Sequence, residues 1–243
     1  MKVLINPTYS FLEDFLKEIP SRFEKEGTVI YEGRNLIKVI EHQGVLLNVK
    51  RYCIPIFINR IAYTFFRKPK GERAFLYPSY LKERGIETPT PIAYIELSSF
   101  GLISYSYFIS IHDAEKSTLY WIEEASAEEY IPIAQSLAEF TADLHEKGIY
   151  HLDYSPGNIL YEKDEKGRFQ FSLVDINRMQ FGPVSVEKGC KNFARLWGNT
   201  HFFTLLAKAY AKARGADVEM CVDTVLKARD KFWKRRDYDN LHS

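Results

Sequence analysis

The first half of the chain has the hydrophobic pattern of a β-sheet. In Val45–Tyr52, the apolar side chains of Leu47 and Val49 alternate with the polar side chains of Asn48 and Lys50, which predicts a strand with one buried face. Similar short apolar or β-branched runs, bounded by turn-forming residues, predict further strands at Thr28–Tyr31, Leu36–Ile40, Pro91–Leu97 and Leu102–Ile109.

The second half has helical periodicity. Apolar residues three or four positions apart predict one helical face, which consists of Ile133, Leu137, Phe140 and Leu144. Lys147-Gly148 closes that helix, and further helical patterns surround Phe193–Ala213 and Val218–Trp233. An additional helix, Lys70–Arg84, interrupts the strands, and Pro78 within it predicts a kink or two shorter pieces.

Strands followed by helices predict an α+β fold with two lobes. We expect a β-rich N-lobe at residues 1–112 and a helical, reduced C-lobe at residues 113–243. The composition, 46% apolar and 27% charged, is that of an ordinary globular protein.

Charge and cysteine content narrow the class of protein. The net charge of +1 provides no global field for nucleic acid, so no nucleic-acid partner is expected. Three widely spaced cysteines without a CxxC pair argue against a zinc or disulfide framework and are typical of a reducing compartment. The first residues do not have the pattern of a signal peptide, and no apolar run is long enough to span a membrane. We therefore expect a cytoplasmic protein.

The candidate catalytic residues come directly after the predicted helix that contains Ile133 and Leu144. The segment His151–Leu160 contains a loop with Asp153 and Asn158, and the next strand, Phe169–Val174, ends at Asp175. These residues should meet at neighbouring loop positions. Phosphoryl transfer needs one carboxylate for the attacking hydroxyl, and a second carboxylate with an amide oxygen for magnesium. Asp and Asn are also common turn formers, so the setting of the motif carries more weight than the residues alone.

The pattern H-x-D-x-x-x-x-N, a hydrophobic strand and an aspartate resembles the catalytic and metal-binding loops of the protein-kinase superfamily. The resemblance implies that Asp153 is the catalytic acid/base, that Asn158 and Asp175 bind Mg²⁺, and that His151 orients the loop. It also implies ATP as the phosphate donor.

The same resemblance assigns nucleotide contacts in the first half. Strand residue Lys50 would bind the α- and β-phosphates and pair with a helix glutamate. Glu72 is the favoured partner, and Glu83 is the alternative. The turn around Gly33 would cover the phosphates, although a kinase phosphate loop usually has several glycines.

Several departures argue against an ordinary protein kinase. Ser155-Pro156-Gly157 stands where those enzymes usually have a nearby lysine or arginine, Asp175-Ile176-Asn177 replaces Asp-Phe-Gly, and no Ala-Pro-Glu segment follows. The segments Gly85–Tyr94, His145–Asp153 and Leu173–Arg178 resemble the bacterial lipopolysaccharide kinase family (InaA, Kdo/WaaP type).

That resemblance implies a kinase for a sugar hydroxyl of the lipopolysaccharide inner core, acting at the inner face of the cytoplasmic membrane. Arg178 and Arg195 are candidates for neutralising anions of such a substrate. An atypical small protein kinase and a nucleotide-binding pseudokinase stay as alternatives. Retention of Lys50, Asp153 and the two metal-binding residues argues against the pseudokinase.

The segment Phe57–Lys68 bears on the location of the acceptor. Phe57, Ile61 and Phe65 share one helical face, and several cations lie nearby. A basic, aromatic amphipathic helix can lie on an anionic membrane surface. A helix packed on the small lobe, with solvated cations, is the favoured alternative.

Overall fold

The computed structural model describes the backbone of residues 1–241 and the side chains of residues 1–236. The chain forms two compact units, Met1–Ala114 and a second that begins at Glu115. The assignment of residues 1–112 and 113–243 to a nucleotide-covering lobe and a catalytic lobe stays a prediction.

An antiparallel sheet is the main feature of the first unit. Among the described residues it has six strands in the order β1-β5-β6-β4-β3-β2. The strands are β1 (Lys2–Ile5), β2 (Thr28–Glu32), β3 (Leu36–His42), β4 (Val45–Tyr52), β5 (Pro91–Ser99) and β6 (Leu102–Ile111). The five strands predicted from the sequence are confirmed within one or two residues at each end, and β1 was not predicted.

Three α-helices accompany this sheet in the described residues, α1 (Glu13–Arg22), α2 (Phe57–Phe65) and α3 (Lys70–Glu83), and a 3-10 helix at Pro7–Leu12 precedes α1. Helix α1 covers one sheet face, because its fully buried Leu16 and Ile19 share a core with Leu47 and Val49 of β4. Burial of such side chains stabilises the fold by about 1.5–3 kcal/mol each. Helix α3 continues through Pro78, so of the two predicted alternatives, a kink or two shorter pieces, the second is wrong.

The second unit is mainly helical. Its elements are β7 (Ser117–Thr118), α4 (Ala127–Glu146), β8 (Ile149–Tyr150), β9 (Ile159–Lys163), β10 (Phe169–Leu173), β11 (Gln180–Phe181), α5 (Val186–Asn192), α6 (Thr200–Ala213) and α7 (Val218–Leu241). The strands form two small antiparallel sheets, β10-β9-β7 and β11-β8. Short 3-10 helices occupy Tyr120–Glu123, Pro156–Asn158, Ile176–Arg178 and Phe193–Arg195.

Two helix predictions in this unit need correction. Helix α4 begins at Ala127 rather than near Ile133, because Ser126 and Glu129 form a capping box that satisfies the first backbone N–H groups. The helical pattern at Phe193–Ala213 is divided into a 3-10 helix and α6, with Asn199 as the N-cap residue of α6.

Candidate active site

The loop between β8 and β9 is folded by its own hydrogen bonds. The side-chain amide of Asn158 donates to the backbone carbonyl of Asp153 at 2.8 Å, and the Asn158 backbone N–H donates to the Ser155 carbonyl at 2.9 Å. The Pro156–Asn158 helical turn results from this local bonding. Asp153 and Asn158 are therefore held on one compact turn, as the motif predicts.

His151 joins this loop to the end of β10. Its Nδ1 accepts the Asp153 backbone N–H at 3.0 Å, and its Nε2–H donates to the Val174 carbonyl at 2.9 Å. Burial lowers the pKa of His151, so the ring is neutral with one donor and one acceptor. The Val174 N–H in turn donates to the Asn158 carbonyl at 3.0 Å. These bonds bring Asp153, Asn158 and Asp175 into one neighbourhood.

Asp175 has an unusual backbone conformation. Its φ of 52° and ψ of 41° lie in the left-handed region of backbone conformation, which residues other than glycine adopt much less often. The amide nitrogen of Asn177 donates to Asp175 Oδ1 at 2.5 Å and orients the carboxylate. Asn177 Oδ1 is buried without a hydrogen-bond partner among the described residues. Left-handed backbone conformations of residues other than glycine, such as that of Asp175, are found most often at functional sites.

The oxygen-rich residues around Asp175 fit a hard divalent cation. A carboxylate and an amide oxygen are the protein ligands that Mg²⁺ takes, and phosphates and water supply the others. The described residues contain no group of three or more His, Cys, Asp or Glu side chains arranged for a metal. The Asp175 carboxylate and the amide oxygen of Asn158 are of the ligand type that suits Mg²⁺ when phosphates and water complete its coordination.

Arg195 contacts the predicted catalytic residue. Its Nη2 lies 2.7 Å from Asp153 Oδ1, and its Nη1 donates to the Leu152 carbonyl at 3.4 Å. Both side chains are partly exposed, 33% for Arg195 and 21% for Asp153. The sequence identified Arg195 only as a candidate for binding substrate anions. Its ion pair with Asp153 spans more than 40 positions along the chain, and no local pattern announces it.

A buried network of hydrogen bonds connects helix α4 to the loop between β8 and β9. His145 Nε2–H donates to Asn192 Oδ1 at 3.0 Å, and the Asn192 amide donates to the His151 carbonyl at 2.9 Å. His145 Nδ1 lies 2.9 Å from the Tyr210 hydroxyl, which also accepts from Arg214 at 2.7 Å. Burial lowers the pKa of His145 to about 4, so this ring is neutral at pH 7.

The three predicted nucleotide-contact residues lie in the first unit. Lys50 is on β4, with its ammonium group 5.2 Å from the ring centroid of Tyr52. Gly33 lies in the turn between β2 and β3, where its backbone N–H donates to the Asn35 carbonyl at 3.1 Å. The neighbouring Arg34 and Asn35 line a cavity in this unit together with Lys70.

Glu72 lies in the first turn of α3 and is buried. Its carboxylate binds the ammonium groups of Lys2 at 2.7 Å and Lys68 at 3.2 Å. Burial alone would raise the pKa of Glu72, but the hydrogen bonds from the two lysines outweigh it and lower the pKa. The pairing of Glu72 with Lys50 stays a prediction, and the bond to Lys2 was not predicted because β1 was missed.

The architecture has relatives among solved structures. A structure of WaaP in complex with acyl carrier protein matches with a TM-score of 0.60 and 17% identity, covering 100% of both chains. An aminoglycoside-3'-phosphotransferase of type VIII matches with a TM-score of 0.54 and 12% identity, over 90% of this chain and 98% of that chain. No curated protein sequence matches. The fold is therefore kinase-like, and the predicted α+β kinase fold is confirmed.

The family follows from the sequence model for "Lipopolysaccharide kinase (Kdo/WaaP) family", which matches residues 31–243. The chain belongs to this family. It is accordingly a lipopolysaccharide kinase. The predictions of the family and of the enzyme class are therefore confirmed. This favours the first of the three functional alternatives over a protein kinase or a pseudokinase.

Proposed function

We propose that the protein transfers the γ-phosphate of ATP, with Mg²⁺, to a sugar hydroxyl of the lipopolysaccharide inner core. One observation carries this proposal: the hydrogen bonds of His151 and Asn158 hold three oxygen-bearing side chains, Asp153, Asn158 and Asp175, on adjoining turns. Phosphoryl transfer depends mainly on positioning and on charge stabilisation, so a preorganised loop of this composition suits it.

Each residue has a role in the proposal. Asp153 accepts the proton of the attacking hydroxyl and orients it, since its carboxylate is partly exposed and held by Arg195. Asn158 and Asp175 would hold Mg²⁺, which neutralises phosphate charge when bound.

Lys50, Glu72 and the Gly33 turn are proposed for the nucleotide. A strand lysine suits the α- and β-phosphates because its ammonium is a compact charge with three donors. The buried Glu72 carboxylate is ionised at neutral pH, which a cation-pairing role requires. The Gly33 turn would cover the phosphates, beside the cavity that Arg34 and Asn35 line.

Phosphate transfer to lipopolysaccharide is the direct test. The full chain is incubated with ATP labelled in its γ-phosphate and with deacylated lipopolysaccharide core, and the product is analysed for label and for the mass of one added phosphate. We expect transfer that requires both acceptor and Mg²⁺ and that stops with a chelator. Label incorporated only into protein, or transfer that is unaffected by the chelator, contradicts the proposal.

Contact with an anionic membrane surface is a second part of the proposal. Helix α2 has no buried residue, and Ile58 and Phe66 are 74% and 84% exposed. We define the α2 surface by its exposed apolar residues, which are Ile54, Ile56, Phe57, Ile58, Phe65 and Phe66. None of the described helices is long and apolar enough to cross a bilayer, so this contact would be peripheral.

The charges around the α2 surface support this choice of partner. Between Glu41 and Glu72 the sequence has no acidic residue, whereas Arg60, Arg67 and Lys68 lie in or beside α2. Arg60 donates to the carbonyls of Ile103 at 2.7 Å and Ser99 at 3.1 Å, and so anchors the helix to the β5–β6 hairpin. The exposed apolar side chains of the α2 surface therefore lie among positively charged side chains, and these charges complement anionic lipid headgroups.

We expect the double variant Ile58→Ser, Phe66→Ser to bind phosphatidylglycerol vesicles about tenfold more weakly than the wild type, since two large apolar groups no longer enter the interface. Co-sedimentation measures the binding. Phe11→Ser, which removes a side chain that is 57% exposed outside the α2 surface, is the matched control. Equal binding by wild type and double variant, or wild-type preference for neutral vesicles, contradicts the membrane contact.

A further inference from the structure

A group of four aromatic side chains lies on the surface of the second unit. We call it the aromatic shelf, and its members are Tyr120, Trp197, Phe232 and Trp233. The Trp197 ring lies 4.8 Å from Tyr120 and 6.5 Å from Trp233, measured between centroids, and Phe232 lies 5.3 Å from Trp233. Tyr120 is 48% exposed, and the other three are partly exposed. The shelf is therefore accessible, unlike the fully buried aromatic core around Phe193 and Phe202.

The shelf adjoins the catalytic loop. A methyl group built on Gly157 would lie 2.5 Å from the Tyr120 hydroxyl, so this hydroxyl rests against the backbone of the loop. The Leu119 N–H donates to the Pro156 carbonyl at 3.1 Å and fixes the chain at that point. On the other side, the Arg195 guanidinium that binds Asp153 lies 5.4 Å from the ring centroid of Phe232.

Positive charge accompanies the aromatic rings. The Arg236 guanidinium lies 5.7 Å from the centroid of Trp233, and Arg195 is over Phe232. The stretch from residue 229 to residue 236 contains five basic residues and one acidic residue. Guanidinium groups bind phosphate and carboxylate groups through paired N–H donors, and stacking on an aromatic ring holds them in place.

We propose that the aromatic shelf is the acceptor subsite and that it binds an anionic sugar, one that carries phosphate or carboxylate. This inference rests on the proposed function. The C–H face of a sugar ring is weakly positive and packs on the negative face of an aromatic ring. Arg195 and Arg236 bind the anionic group, and a hydroxyl of the same sugar then reaches Asp153 beside Arg195. A Cβ at position 157 would lie 2.5 Å from the Tyr120 hydroxyl, so a larger residue there would displace the Tyr120 ring from its place in the shelf.

The test uses the full chain and deacylated lipopolysaccharide core oligosaccharide as the probe, with binding measured by calorimetry in the absence of ATP. We expect Tyr120→Ala and Trp233→Leu each to raise the dissociation constant about tenfold, because each removes a stacking face. Tyr80→Ala is the matched control, since Tyr80 is also 48% exposed but is not part of the shelf. Arg236→Gln should also weaken binding of the probe, because the guanidinium that binds its anionic group is lost.

Equal affinities of wild type, Tyr120→Ala and Trp233→Leu overturn the proposal, and so does a wild type that does not bind the probe. A loss of affinity in Tyr80→Ala as large as that in Tyr120→Ala also overturns it. Kinetics separate this inference from the proposed function. If shelf variants bind the probe weakly while the wild type binds it but transfers no phosphate, the subsite holds and the proposed reaction fails. If the wild type transfers phosphate, the variants should raise the acceptor KM and leave the ATP KM unchanged.

Discussion

Replacing Asp153 by asparagine is expected to lower kcat for phosphate transfer on the order of 10³-fold, while ATP affinity changes little. A positioned general base contributes about 10²–10⁴-fold to a reaction, and the amide of asparagine cannot accept the hydroxyl proton. The substitution retains the size of the side chain and an oxygen that can accept from Arg195, which lies 2.7 Å away. Single-turnover transfer and calorimetric titration with ATP measure the two quantities separately.

The ion pair between Asp143 and Lys147 provides a matched control. It joins an aspartate to a cation at 2.6 Å on the surface of α4, four residues apart. Asp143→Asn removes the same charge from the same unit, and an exposed pair of this kind is worth about 0–1 kcal/mol. It should leave transfer unchanged. Transfer by Asp153→Asn at the wild-type rate would rule out Asp153 as the base, whichever acceptor is used.

Acid is expected to destabilise the second unit through His145. The pKa of this residue is about 4 in the folded protein against 6.5 for an unperturbed histidine, chiefly because of burial. The unfolded chain therefore binds the proton more readily, and the stabilisation that is complete above pH 6.5 is lost as the pH falls toward 4. The free energy of unfolding should fall by about 2–3 kcal/mol between pH 7.5 and pH 4.5 from this residue alone.

The groups that face His145 explain the direction of this effect. Burial is the largest cause and lowers the pKa, and the positive charges of Arg214 and Lys188 lower it further, whereas the hydrogen bond to Asn192 raises it and only partly offsets them. The Tyr210 hydroxyl lies 2.9 Å from the other ring nitrogen. The buried His151 acts in the same direction.

Urea denaturation at the two pH values measures the loss of stability. In His145→Gln the loss between pH 7.5 and pH 4.5 should shrink by about 2 kcal/mol or more, because no imidazole titrates there. His201→Gln, which changes an exposed histidine, should retain the wild-type pH dependence. An unchanged pH dependence in His145→Gln would remove His145 as the source.

Local patterns predict much of the fold because they arise from local physics. Alternation of apolar and polar residues predicts β4 from Val45 to Tyr52, where the structure has it. Strand β1 and helix α1 were not predicted because they depend on contacts with distant parts of the chain. Lys2–Ile5 is stabilised as a strand by its partner β5, some 90 positions later. Helix α1 similarly depends on the sheet core that it covers.

The candidate site divides in the same way. Asp153, Asn158 and Asp175 are proposed from the sequence because the predicted chemistry uses those residue types at defined spacings. The hydrogen bond that joins Asn158 to Asp153 is local, whereas Val174, next to Asp175, is joined to His151 and Asn158 by longer-range bonds. The sequence by itself thus determined the enzyme class and the family, and it located the candidate loop, whose residue roles stay predictions.

Only the tertiary structure decided what surrounds that loop. It brings Arg195 to Asp153, links His145 through Asn192 to His151, and assembles Tyr120, Trp197 and Trp233 beside Gly157. It also gives Glu72 the partners Lys2 and Lys68. Apart from Lys68, which is one helical turn from Glu72, these contacts join residues distant in the chain. They form only when packing of the core closes the intervening loops, so no periodicity or spacing in the sequence encodes them visibly.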